Sequence, residues 1–385
     1  MAAVLYGNNV FFFRRRFKAP LVTLSVPVYG TEGSLPSFFD SVLEQTAFAG
    51  GSAPAGAGAR AGRGDFPLEI IVVNDGSPSG ASLPKFIRRY KKEFAKRGCS
   101  LTTEEHRKNR GTLEARRTCV LSASAPYTLF ADPDDTLTPC ALEKLYTAAL
   151  SSGAGIVHGR MELFVKDPAL KSGENAEVFA RFSEAVRHVH KGFLQGKAVS
   201  DDFFLAGGHT SFLCAKLFRT ELLRKAYEEI PHTFCIMAED LLLYFFVLQQ
   251  NPSYFGIDDT VYRYNNDAGI TSKSRITDRA RWEKACSASS VFTVIFEYLQ
   301  NHPIDEKHEA ALRELCGSQL ISNLRQLKAC VEPSLQEEAY KILCDYWGES
   351  LVKRAEEAGL FTSFGKVKSI EAKDKLLNGS PNHSR

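Results

Sequence analysis

Phe130-Ala131-Asp132-Pro133-Asp134-Asp135 places three carboxylates within four positions, directly after the apolar run Tyr127–Ala131. A short apolar run bounded by turn residues reads as a buried strand, so the acids fall at its carboxyl end. In open α/β sheets, ligands bind in the crevice at that end. Crowded carboxylates repel one another unless a cation sits among them. Oxygen donors of this kind suit Mg²⁺ or Mn²⁺, and Mg²⁺ held by one or two carboxylates completes its shell with water and substrate phosphates. The stretch therefore predicts a divalent metal and a phosphorylated ligand.

Outward from it, strands and helices alternate. Leu21–Val28 is a β-rich run ending in Pro27-Val28-Tyr29-Gly30, and Leu35, Phe38, Phe39, Val42 and Leu43 follow at helical spacing. Residues 47–65 are rich in Gly, Ala and Ser and read as a flexible insertion. Leu68–Val73 is an unbroken apolar run that suits a parallel sheet covered on both faces. It ends at Asn74-Asp75-Gly76-Ser77, and a helix with a basic outer face is expected over 82–96. After the acids, Thr138-Pro139 supplies a helix cap and a first-turn proline, and Leu142, Leu145, Tyr146 and Ala149 form a buried stripe that Gly153 stops. Gly155–Leu163 is a further strand. The β-α-β-α order predicts an α/β fold: a mainly parallel twisted sheet with helices on both faces.

From about 165 the rhythm changes. Residues 166–200 read as a loop with helical pieces, Lys216–Ala226 and Glu239–Gln249 as helices, and Thr260–Tyr264 as a short strand. From 277 to 373 the pattern is helical, with Leu312, Leu315, Leu320, Leu324 and Leu327 as one stripe. The expected organisation is an N-terminal extension over 1–19, an α/β domain over 20–275, a helical C-terminal region over 276–373 and a disordered tail over 374–385.

The chain has 385 residues, 44% hydrophobic and 24% charged, with a net charge of +3. Those values describe an ordinary globular protein and give no electrostatic case for a nucleic-acid partner. Nine cysteines are scattered without a CxxC pair, which excludes a zinc-site spacing and fits reduced thiols in a cytoplasmic protein. No apolar run reaches the ~18 residues of a membrane span. Phe11-Phe12-Phe13-Arg14-Arg15-Arg16-Phe17 has two readings, a peripheral contact with an anionic inner membrane face or a solvated extension, and the second is the simpler.

Asp75, at a strand end and followed by Gly76, can accept hydrogen bonds from a base, and the strand-end Tyr29 can pack on one; each alone reads equally as a turn and as packing. Their order is what resembles a family. Pro27-Val28-Tyr29-Gly30, Val72-Val73-Asn74-Asp75-Gly76-Ser77 and Asp132-Pro133-Asp134-Asp135 resemble the nucleotide-binding half of family 2 glycosyltransferases, which have the nucleotide-diphosphosugar transferase (GT-A-like) fold. Asn109-Arg110-Gly111 with Ala115-Arg116-Arg117, Lys216-Leu217-Phe218-Arg219, Glu239-Asp240, and Val261-Tyr262-Arg263-Tyr264 with Thr271-Ser272 resemble later family segments. The resemblance covers about 20–275. The family usually has two aspartates where this chain has Asn74-Asp75, and often Arg-Asn where this chain has Arg116-Arg117.

The resemblance implies an inverting hexosyltransferase that moves a sugar from a nucleoside diphosphate sugar, UDP-linked by expectation, to a hydroxyl of a glycan or lipid-linked acceptor in surface polysaccharide synthesis. It implies that Asp134 and Asp135 hold Mn²⁺ or Mg²⁺ and that Pro27, Tyr29, Asp75, Gly111, Arg116, Asp132 and Asp134 bind the donor. It makes Asp240 the general base, with Glu239 beside it; alone, that pair reads as carboxylates at a helix N-terminus. His209, after Gly207-Gly208, is either an acceptor or diphosphate contact or a plain loop histidine. The C-terminal helices stand open as an acceptor wall, a homodimer surface or a membrane contact. Asp132-Pro133-Asp134-Asp135-Thr136 also fits the DxDxT pattern of haloacid dehalogenase-like phosphatases, but that motif opens its domain, and here two βα units precede it. A nucleotidyltransferase lacks its basic phosphate loop in Gly30-Thr31-Glu32-Gly33, and a non-catalytic scaffold leaves Asp75, Asp134, Asp135 and Asp240 without a purpose.

Overall fold

The computed structural model describes residues 18–48, 66–78, 83–165, 175–266 and 275–357. The expectations for residues 1–17, for most of the 47–65 insertion and for everything beyond 357 fall outside them.

The N-terminal half is built on β1 (Val22–Val28), β2 (Leu68–Asn74), β3 (Ser100–Glu105) and β4 (Tyr127–Phe130). All pair in parallel: β1 lies between β2 and β4, with Val22 opposite Leu68 on one side and Tyr127 on the other, and β3 forms the edge beyond β2. Their crossovers carry α1 (Leu35–Leu43), α2 (Leu83–Lys96) and α3 (Thr112–Ser122). Every β1 residue is buried, as a strand covered on both faces requires. β3 has no such signature, because Thr102 and Thr103 face solvent at the sheet edge; no strand was expected there.

The sheet continues past the acidic turn through β5 (Thr136–Leu137), β6 (Ile156–Phe164), β7 (Gly192–Gln195), β8 (Lys216–Arg219) and β9 (Ser253–Asn265). Its order is β3-β2-β1-β4-β8-β6-β9-β5, with β7 also on β9. β6 and β9 are parallel over most of their length, whereas β8 is inserted antiparallel between β4 and β6. The parallel pairs have the longest registers, so the α/β class and its mainly parallel sheet stand. The helix expected over Lys216–Ala226 is corrected: Lys216–Arg219 is the strand β8, and α7 (Thr220–Glu229) begins only after it. The reason is alternation. Leu217 enters the core beneath α1, α2 and α4 (Ala141–Ser152), while Phe218 enters the opposite core. The described part of the 166–200 segment holds α5 (Asn175–Arg187), the unforeseen strand β7 and the start of α6 (Lys197–Asp201), which runs on into a π-helical turn, Asp202–Ala206. Thr260–Tyr264 is the end of the longer β9.

α8 (Glu239–Leu248) is buried from Leu241 to Leu248. An all-round apolar helix must be covered on every side: α7, α3 and α10 (Ala288–Leu299) pack directly on it, and α9 (Arg279–Cys286), α11 (Glu306–Ala329), α12 (Gln336–Trp347) and α13 (Glu349–Glu357) extend the same core outward. One apolar core runs unbroken from Leu113 and Phe218 through α8 to Ala355. Polar pins fix it: Trp282 Nε1 donates to the Ala339 carbonyl at 2.7 Å and Trp347 Nε1 to Asn323 Oδ1 at 3.0 Å.

Candidate active site

A cavity of about 790 Å³ opens at the carboxyl ends of β1, β2 and β4. The strands end there, and the turns that follow carry the polar side chains. Asp75 follows β2, its amide bonded to the Val28 carbonyl at 2.8 Å. Gly76 has φ +72°, and a Cβ on it would stand 2.5 Å from the Lys108 carbonyl carbon, so only glycine fits. The side chain of Asn74 accepts from the Ser77 amide at 3.0 Å, and Ser77 Oγ accepts from the Gly30 amide at 3.1 Å. Asn74 therefore closes the turn, and Ser77 ties it to Gly30 beyond β1. Asp75 binds the 106–111 loop: Oδ1 meets His106 Nδ1 at 2.6 Å and the Arg110 amide at 2.9 Å, and Oδ2 accepts from the Gly111 amide at 2.9 Å.

After β4, the Asp135 amide donates to the Asp132 carbonyl at 3.2 Å, a tight turn that folds Asp135 back toward Asp132. Asp135 is 2% exposed. Its carboxylate accepts from Tyr262 Oη and from the Asn265 amide, both at 2.7 Å. Burial first, and then the charges of Asp132 and Asp134, push its pKa well above the usual carboxylate range. Asp132, Asp135 and Cys214 each bring a ligand atom within 4.8 Å of the others. Cys214 is held as a neutral thiol by burial, which leaves the oxygens as the donors for a hard cation. A buried carboxylate crowded by two more is the charge pattern that a divalent cation relieves, so the residues fit one. The pair that converges is Asp132 with Asp135, not the Asp134 with Asp135 that was expected. Asp134 lines the cavity from the middle of the turn.

Arg116, on α3 and 2% exposed, joins the distant parts. One terminal nitrogen donates to Asp132 Oδ1 at 3.1 Å; the other donates to Glu239 Oε1 at 3.2 Å and to Asp240 Oδ1. The acidic turn of β4 and the first turn of α8 thus share one guanidinium. Burial first, and then the Asp240 charge, push the Glu239 carboxyl above its usual range, against the pull of Arg116. Asp240 Oδ2 accepts only a long 3.4 Å bond from the Leu213 amide. Ala238, just before α8, has φ +61°, an uncommon conformation for a residue with a Cβ.

Pro27, Tyr29, Asp75, Gly111, Arg116, Asp132, Asp134, Glu239 and Asp240 all line the cavity. Asp135 stands behind it. His209 lies outside it, with Nδ1 bonded to Asp202 Oδ2 and Nε2 to Tyr244 Oη, both at 2.6 Å, and with its ring stacked on Tyr254. Burial lowers its pKa to about 4. The structure thus places His209 in a core network; the glycines beside it had suggested a loop. Tyr262 and Cys214 were missed as site residues. Tyr262 falls within one of the quoted segments, but only the β9 register shows that it faces Asp135. The wall contributed by Lys284 of α9 and by Ala311, Leu315 and Ser318 of α11 was also unforeseen in detail.

Comparison with known proteins adds the following. Residues 23–217, about half of the chain, match the profile described as Glycosyl transferase family 2. A stretch of 138 residues is 28% identical to the uncharacterized glycosyltransferase EpsJ of Bacillus subtilis, and the match spans 36% of this chain and 33% of that protein. Among solved structures, TarS 1–349 of S. aureus in complex with UDP-GlcNAc aligns at 15% identity with a TM-score of 0.47, over 90% of this chain and 94% of that one. The mannosyltransferase PcManGT of Pyrobaculum calidifontis, in complex with GDP-Man and Mn²⁺, aligns at 17% identity with a TM-score of 0.46, over 94% and 89%.

Proposed function

The chain belongs to glycosyl transferase family 2, and on that footing we propose that it moves a hexose from a nucleoside diphosphate sugar to an acceptor hydroxyl, with inversion and with a divalent cation. The carrying observation is that Arg116 gathers Asp132, Glu239 and Asp240 at one cavity, at the strand ends where Asp75 and Tyr29 also stand.

Each residue then has a task. Asp75 already accepts three bonds from its own loop; four lone-pair sites leave room for one donor from a base edge. Tyr29, 39% exposed, offers a face for the base. Asp132 and Asp135, with Asp134 beside them, would hold Mn²⁺ or Mg²⁺, which when bound neutralises charge on the leaving diphosphate. Asp240 takes the acceptor proton at Oδ2, the oxygen that Arg116 does not engage. Glu239 stands beside it on the same guanidinium. Arg116 orients Asp240 and keeps it apart from Asp132. A hydroxyl is a poor nucleophile and gains from a base within hydrogen-bond reach. Attack from the side opposite the leaving group gives inversion.

A UDP carrier, a glycan or lipid-linked acceptor and a place in polysaccharide synthesis complete this reading. Calorimetry with UDP, GDP and CDP, each with Mn²⁺ and again with EDTA, tests it. Metal-dependent binding of one nucleotide is expected; hydrolysis of a phosphomonoester with no nucleotide bound would replace it with the phosphatase reading. Asp240→Asn should lower turnover by at least about a hundredfold, in line with the loss of a general base, and leave donor affinity within twofold.

A further inference from the structure

We propose that Lys284, from the C-terminal helix α9, binds the diphosphate of the donor. This rests on the glycosyltransferase reading above and adds a contact from outside the segment that matches the family.

The argument is one of charge. The cavity wall carries Asp75, Asp132, Asp134, Glu239, Asp240 and Glu314, against two cations among the described residues, Arg116 and Lys284. A diphosphate entering an acidic cavity needs compensating positive charge beyond a single metal ion. Arg116 is committed to three carboxylates. Moving it to a phosphate would leave those acids facing one another. Lys284 makes no ion pair with a carboxylate among the described residues. Its ammonium lies over the Tyr29 ring, 5.2 Å from the centroid. That is the aromatic face at the end of β1, on the same cavity wall as Asp75 and Asp132.

The ammonium also stands on a rigid support. The Lys284 carbonyl accepts from Ser287 Oγ at 2.7 Å and from the Ser287 amide at 3.2 Å. Two residues earlier, Trp282 is fully buried and bonded to α12. A lysine is a compact point charge on a flexible stem. From the Tyr29 face it can swing toward phosphate while its backbone stays fixed. The C-terminal helices thereby supply part of the donor site.

The test compares Lys284→Gln and Lys284→Arg with the wild type, using UDP and uridine as probes with Mn²⁺ present. UDP is followed by calorimetry and uridine by ligand-observed NMR; unchanged thermal midpoints confirm folding. Lys284→Gln should weaken UDP about tenfold, the scale of one charge-assisted hydrogen bond, and change uridine less than twofold. Lys284→Arg should stay near wild type. Equal losses of UDP and uridine would overturn the proposal and assign Lys284 to packing on Tyr29, and unchanged UDP affinity would overturn it outright. Failure of the wild type to bind any of UDP, GDP or CDP would overturn the donor reading itself. That result shows before any variant is made.

Discussion

Arg116 holds three carboxylates on one guanidinium, and its removal shows what they cost one another. Replacing it with methionine keeps the stem and leaves Asp132, Glu239 and Asp240 without a counter-charge. Breaking a buried pair from one side costs roughly 3–5 kcal/mol. Asp132 and Asp240 keep 29% and 20% of their side chains in solvent, so the loss should lie near the lower end, measured as the shift in urea midpoint. His209 gives a second residue-scale prediction. A solvated histidine titrates near 6.5, while burial and the nearby Lys216 charge hold His209 at about 4. Between those values the unfolded chain binds a proton that the folded one refuses. Stability from His209 is therefore present above pH 6.5 and is lost as pH falls toward 4, at up to about 1.4 kcal/mol per pH unit. His209→Gln should flatten the slope of unfolding free energy against pH in that window, and an unchanged slope would remove His209 as a contributor. At this scale, Asp75, Asp132 and Asp240 were legible because each adjoins an apolar run. The pairing of Asp132 with Asp135 was not, because a tight turn sets which of three neighbouring acids converge.

Among the elements, α3 is the pivot. It carries Arg116 to the acids, while Arg117 donates to the carbonyl of Tyr227 in the last turns of α7 and to those of Ile230 and Pro231 just beyond it. Its start depends on Gly111, at φ +92°, where a Cβ would stand 2.8 Å from the Cys235 carbonyl oxygen. Gly111→Ala should displace the 235–240 segment, lower the thermal midpoint and weaken donor binding together. If binding fell with the midpoint unmoved, the effect would lie in ligand contact and not in packing. The elements of the parallel half were readable from continuous apolar runs. β8 was misread because Lys216-Leu217-Phe218-Arg219 is followed without a break by a helical pattern. Lys216 is itself fully buried, against the usual habit of lysine. β3 escaped because an exposed edge strand of Ser, Thr and Glu has little apolar signal.

Across the whole molecule, the C-terminal helices share one core with α8 and α7. The division of the chain at 275 follows the end of the family resemblance and the start of a helical pattern, neither of which reports where a core ends. A chain stopped at 275 would uncover the face of the apolar α8 that packs on α10. It should be insoluble or bind a hydrophobic dye strongly, whereas the full chain should unfold in a single transition by both fluorescence and circular dichroism. A separate, earlier transition of the helices would show that the two parts fold independently. No helix among the described residues is long and apolar enough to cross a membrane. The central claim is that the strand-end cavity takes a nucleoside diphosphate with a divalent cation, and one titration tests it most directly: calorimetry of UDP, GDP and CDP with Mn²⁺, repeated after EDTA and with Asp135→Asn. The account predicts that one nucleotide binds, that EDTA abolishes the binding and that Asp135→Asn weakens it at least tenfold; nucleotide binding indifferent to both EDTA and Asp135→Asn would contradict it.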